Sequence, residues 1–322
     1  MTSRRTAWPA ASRGNRRQRA WMYRNAPYTR EEVMLNGRSI GDITLRSVAL
    51  VAAFATTIAV AAAAEQAKYP DLRGQWTGVL RSVPGLPGQP SFDASKPWGK
   101  GQQAPLTAEY EAILEANLKA QAEGGVGDWR GTDCLGFGMP LITYGFQPQE
   151  FIVTPETTYV LVNWVEHTRR IFTDGRDWPE EIEPTLTGYS IGRWIDEDGD
   201  GRYDVLEVET RGFKGPRHYD ASGLPLHHDN QSIFKERFYL DKADKNLLHD
   251  EVTVYDHALT RPWTVIRDLR RNPNPRPKWE EFICAENNAY VTIGKETYFL
   301  SADGLLMPMR KGQPAPDLRY FR

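Results

Sequence analysis

The sequence predicts a mainly β protein: one antiparallel barrel of eight to ten short strands, with a single helix from its N-terminal part packed outside. Three observations carry this expectation. From residue 149 to residue 300 apolar and polar residues alternate in short runs, the period of half-buried strands. Turn signals separate the runs: Pro155-Glu156, Asp174-Gly175, the acid- and glycine-rich stretch 196–202, and Asp241 to Asn246. Strands and helices do not alternate as in βαβ units, so the runs must close on one another.

The first 64 residues have another character. Residues 1–46 hold ten Arg against three acids (Glu31, Glu32 and Asp42), and Ser47 to Ala64 is an uncharged run dominated by Ala and Val. It ends in four alanines, a small-residue cleavage signal, which is the layout of a secretory signal peptide behind an N-terminal extension. Met34 then serves as an alternative start. The competing reading is a membrane anchor, although the run is at the lower limit for spanning. Setting residues 1–64 aside leaves a single domain, 65–322, with 30 Lys and Arg against 39 Asp and Glu. That acidic balance excludes a nucleic-acid partner, which needs a basic face. The expected location is periplasmic or secreted, with no membrane span after cleavage. In an oxidising compartment Cys134 and Cys284 read as one disulfide, the alternative being two buried thiols.

Taken in order, Asp71 to Arg81 is the first strand and residues 83–105 an irregular Pro- and Gly-rich loop. Thr107 to Gln121 reads as a helix, capped by Thr107, with Glu109 and Glu111 at its positive end, Tyr110, Ile113, Leu114 and Leu118 on one face, and Gly124-Gly125 as its stop. Strands follow at Glu150–Thr154, Thr157–Trp164, His167–Thr173, Thr185–Ile195, Tyr203–Thr210, Gln231–Leu240, Leu247–Tyr255 and Trp263–Arg271, with short candidates at Trp279–Cys284 and Glu296–Leu300.

Several of these segments carry a resemblance. Arg170 to Arg176, Gly188 to Trp194, Glu236-Arg-Phe238, Thr260 to Thr264 and Cys284-x-Glu286-Asn287 are similar as a set to a family of exported bacterial proteins of unknown function. That resemblance implies export and no particular activity. Many members of that family resemble one another in having a short turn where this chain has Asp196–Arg202. Separately, Gly74-x-Trp76 resembles the opening of the first lipocalin strand, which implies a lipocalin-like barrel with the Trp closing one end.

Three groups of residues are candidates for chemistry. Asp196, Asp198 and Asp200 before Gly201 match the first half of a calcium loop, with Asp204 and Glu207 at its ninth and twelfth positions. Because Glu207 lies on a strand, Asp196, Asp198, Asp200 and Asp204 are the better ligands for a structural Ca2+; the alternative is a solvated turn. His227-His228-Asp229, with His218 before and Glu236 after, could supply an acid–base group, and His228 and Glu236 are the catalytic candidates. Adjacent residues point to opposite faces of a strand, so His227 and His228 are not expected to serve one site together, and no His-x-His or Glu-x-x-His spacing supports zinc.

The third group is charged residues on apolar strand faces: Glu236 beside Phe234 and Phe238, Asp250 and Asp256 beside Val252 and Val254, Arg170 beside Phe172, Arg267 beside Val265. Buried carboxylates need partners, so Glu236 and Asp256 are expected to meet Arg170, Arg261 or Arg267. These ions either brace the barrel or line a pocket. In the second case Arg170, Trp194, Glu236, Asp256, Arg261 and Trp263, with Trp164, would surround a ligand. The function expected is binding of a small, partly apolar molecule in the lumen. The alternatives are a periplasmic lyase, hydratase or isomerase on the same scaffold, and a calcium-stabilised envelope module without ligand. No organic cofactor is expected.

Overall fold

The structure is a computed structural model that describes residues 64–79, 92–128, 138–144, 147–163, 167–215, 218–280 and 289–319. The expected signal peptide, Trp164, Cys134 and Cys284 lie outside these residues.

Nine strands close a barrel in sequence order: β1 (Gln75–Val79), β2 (Gln149–Val153), β3 (Thr157–Val162), β4 (His167–Phe172), β5 (Tyr189–Ile195), β6 (Val205–Arg211), β7 (Ile233–Leu240), β8 (Leu247–Tyr255) and β9 (Trp263–Arg271), with β9 back on β1. The barrel is mixed, which corrects the expectation of an all-antiparallel one. Chain direction must return to itself around a closed ring, so an odd number of strands requires at least one parallel neighbour pair. Here it is β4–β5, with Ile171 beside Ser190 and Phe172 beside Ile191. Asp174-Gly175 therefore does not make a hairpin. The Asp174 carboxylate instead accepts the backbone N–H of Arg176 at 3.2 Å, and residues 173–188 form the connection that brings the start of β5 alongside the end of β4 in the same direction. Gly192 makes the join possible, since a Cβ there would lie 2.7 Å from the Ile171 side chain.

The ends of the barrel differ. One carries the acidic β5–β6 loop and the β7–β8 turn. Trp76, fully buried, donates its indole N–H to the Leu72 carbonyl at 2.8 Å beneath the Arg271 guanidinium, 4.3 Å from the ring. The other end is covered by longer connections, including α1 (Ala108–Ala122), capped by Thr107. The helix buries Leu114 and Asn117, and Asn117 and Gln121 donate to the carbonyls of Gly223 and Ser222 in the β6–β7 connection. Among the described residues no helix is long and apolar enough to cross a membrane.

A second, three-stranded sheet of β10 (Tyr290–Ile293), β11 (Glu296–Leu300) and β12 (Leu306–Pro308) follows the barrel. Only β11 was expected. Residues 279 and 280 are not in a strand, and 281–284 lie outside the described residues.

Inward positions alternate strictly on β8, where Leu248, Asp250, Val252 and Val254 are buried and their neighbours are less so. With Phe234 and Phe238 of β7, Trp263, Val265 and Leu269 of β9 and Phe151, Val160 and Ile171 of β2–β4, they form one continuous apolar core.

Candidate functional site

Two charged assemblies stand inside that core. In the first, Arg169 on β4 grips both carboxylate oxygens of Glu236 on β7, with Nη1 to Oε1 at 2.9 Å. Its Nη2 also donates to Thr210 Oγ1 at 2.8 Å and its Nε to Ser190 Oγ at 3.2 Å, so every part of the fork is used. Both side chains are essentially inaccessible. Burial on this scale needs such saturation, because an unpaired ion in the core would cost several kcal/mol.

Arg169, not Arg170, is thus the lumenal arginine. Arg170 is exposed, and Phe172 lies outward under the Arg176 guanidinium, 3.8 Å from its ring centroid. The expectation slipped by one residue, which on a strand exchanges faces. The paired arginines and paired Ile171-Phe172 give β4 no clear alternation. Asp256 and Arg261 are also outside the lumen. Asp256 lies just past β8 and accepts the backbone N–H groups of His227 at 2.9 Å and Ala258 at 2.8 Å together with the Ser232 hydroxyl. Arg261 donates to the adjacent Pro262 carbonyl.

The second assembly fills the lumen toward the helix-covered end. Asp250 on β8 is fully buried, and among the described residues neither of its carboxylate oxygens has a hydrogen-bond partner. Burial, then the nearby Glu236 charge, holds its carboxyl well above the usual carboxylate range. Directly across the β8–β9 ladder is Arg267. One Arg267 nitrogen, Nη1, donates to Thr143 Oγ1 at 2.6 Å and to the Pro140 carbonyl at 3.1 Å, while among the described residues Nε and Nη2 make no hydrogen bond of good geometry. Tyr219 and Tyr144 flank its guanidinium, with ring centroids at 4.8 and 5.1 Å. Tyr219 packs on Trp263, the centroids 4.5 Å apart, and among the described residues the Tyr219 hydroxyl, close to the Arg267 guanidinium, and Trp263 Nε1 are likewise buried without a hydrogen bond of good geometry. Burial raises the Tyr219 phenol and pushes Tyr144 up to about 12. Gln102 fixes the outer side by donating to the Tyr144 hydroxyl and to Asp220 at 3.0 Å.

The other expected residues are elsewhere. Trp194 faces inward at the opposite end, against Tyr69 (5.3 Å) and Tyr203 (6.3 Å). His228 is exposed, in a loop rather than a strand. In the acidic loop Asp196, Asp198 and Asp204 present carboxylate oxygens within 4.8 Å of one another, whereas Asp200 is not in that group. Asp196 also accepts the N–H groups of Gly199, Asp200 and Gly201 at 2.8–3.2 Å, so it organises the turn. Glu207 instead pairs with Arg193 on the outer wall.

Arg169, Tyr219 and His257 are the residues that sequence reading missed. Arg169 was readable only with the correct phase of β4. Tyr219 sits in a loop whose inward course has no local signal. No protein-family model and no curated protein matches the chain.

Proposed function

We propose that this chain is an exported, lipocalin-like barrel protein that binds a small, partly apolar molecule in the half of its lumen bounded by Asp250, Arg267, Tyr219 and Trp263. One observation carries the reading: among the described residues, both Asp250 oxygens, Arg267 Nε and Nη2, the Tyr219 hydroxyl and the Trp263 indole N–H are buried together without a hydrogen bond of good geometry, the Tyr219 hydroxyl lying close to the Arg267 guanidinium. Each such atom costs roughly 1–3 kcal/mol unless something satisfies it. All these groups except ionised Asp250 are donors, so the matching ligand has oxygen acceptors at one end, as a carboxylate or carbonyl compound does. The aromatic faces of Tyr219 and Trp263 suit an apolar remainder. The buried Trp76 at the far end supports the lipocalin-like comparison, and the run 47–64 with the resemblance to exported proteins supports export.

The test uses 1-anilinonaphthalene-8-sulfonate, an aromatic body with one anionic head. The folded chain binds it in a saturable one-to-one complex. Tyr219→Phe removes one hydroxyl and keeps the ring, so it weakens binding several-fold without loss of stability. Unchanged binding in both Tyr219→Phe and Asp250→Asn would refute the site.

A specific observation also favours catalysis at this position. A carboxyl held above its usual range, across the ladder from an arginine, can hold and donate a proton. On that reading Asp250 is the acid–base group of a lyase, hydratase or isomerase, in place of the braced Glu236 or the exposed His228. The Asp196, Asp198 and Asp204 group supports a further, separable proposal, structural Ca2+ at the opposite end.

A further inference from the structure

We infer that His227, Asp229 and His257 form a binding site for a late first-row divalent metal ion, Zn2+ in the first instance, with one coordination position open to solvent. The site is separate from the lumen and from the acidic loop. His227 and Asp229 lie in the connection leading to β7, and His257 lies in the β8–β9 connection. One ligand atom from each comes within 4.8 Å of the others.

The spacing fits a small ion. Two ligands about 2.0–2.1 Å from a tetrahedral ion stand roughly 3.3 Å apart. His227 Nδ1 is 3.2 Å from Asp229 Oδ2, and His257 Nδ1 approaches the same oxygen. The His257 ring is exposed and can swing out to give an ion room.

The hydrogen bonding points the same way. His227 Nδ1 accepts the backbone N–H of Asp229 at 3.2 Å, a long bond that its lone pair must give up to hold an ion. It nevertheless faces the carboxylate oxygen Oδ2 at the same distance. Two acceptors so placed repel unless a proton or a metal ion lies between them.

The surroundings hold the ligands in place. The other Asp229 oxygen, Oδ1, accepts the Gln231 N–H at 3.0 Å, which aims Oδ2 at the imidazoles. Tyr110 of the helix packs on the His227 ring at 5.8 Å. Asp256 joins the two connections, since it accepts from His227 N and Ala258 N, on either side of the assembly. Asp256, expected as a ligand-binding residue, is here a positioning residue. Imidazole donors favour zinc and its neighbours over Ca2+ or Mg2+, which prefer oxygen alone. Three protein ligands with an exposed side leave the fourth position to water or to a bound molecule.

Calorimetric titration of the chelator-treated full chain with Zn2+ tests this. One ion per chain is expected, with His257→Ala weakening binding by at least roughly tenfold. Because His257 is exposed, that variant keeps the parent's melting temperature without metal. Asp198→Ala, in the acidic loop, binds zinc as the parent does. Loading with Co2+ gives the visible bands of a four-coordinate centre, and these disappear in His257→Ala. Absence of stoichiometric zinc binding by the parent, or equal affinity in His257→Ala, would overturn the site.

Discussion

Arg169 reaches across the barrel interior and closes a two-point clamp on Glu236, joining β4 to β7, strands that are not neighbours in the sheet. Neither side chain is accessible, and Thr210 and Ser190 take two more of the donors. The clamp therefore ties opposite walls together through the core.

Glu236→Gln keeps the shape but leaves the Arg169 charge uncompensated. It should destabilise the fold by about 3–5 kcal/mol. An Arg169→Met, Glu236→Leu double variant should lose much less, because no buried charge is stranded. Urea denaturation of the three proteins decides it, and a loss under about 1 kcal/mol in Glu236→Gln would contradict the clamp.

Asp250 makes a pH prediction. Its folded carboxyl is raised by burial and by Glu236. A raised group contributes stability that is present below its unfolded value, about 3.9, and lost as pH rises through the folded value. Asp250→Asn stays neutral throughout. Its stability relative to the parent should therefore increase as pH climbs above about 4. Denaturation midpoints of both proteins from acid to mildly alkaline pH provide the check, and a flat difference would show that Asp250 is not buried in this way.

These two residues also show what was legible. Strand periods, the helix with its Thr107 cap, and a barrel of about this size were all readable, because alternation and turn residues are local signals. Glu236 and Asp250 were visible as carboxylates on apolar faces. Their surroundings were not: Arg169 hid behind the ambiguous phase of β4, and Tyr219 and Tyr144 come from connections whose folding over the barrel end depends on tertiary packing. The parallel β4–β5 pair was hidden too, since Asp174-Gly175 looks like a hairpin turn and serves instead to start a crossover. The small sheet was half seen, because β10 and β12 are short and lack strong alternation.

In the acidic loop, millimolar Ca2+ should raise the melting temperature by binding the folded state. Asp198→Ala should lose that rise, because it removes a proposed ligand and one N–H contact while the three N–H groups held by Asp196 keep the turn. Equal melting temperatures with and without Ca2+ in the parent would leave Asp196 as a turn former alone.

Export predicts that Cys134 and Cys284 are joined in a loop of about 150 residues, worth roughly 5 kcal/mol in the chain-entropy model. Thiol titration of the denatured, unreduced protein should find no free thiol. Two free thiols would remove the disulfide.

The central claim, that the polar half of the lumen holds a small molecule, is tested most directly by native mass spectrometry of the full chain purified from its native host. The parent should carry a bound small molecule that is released on denaturation, and Tyr219→Phe purified alongside should carry markedly less while folding as well. A parent that flies at its own polypeptide mass, and gains nothing after incubation with a host metabolite extract, would contradict the claim.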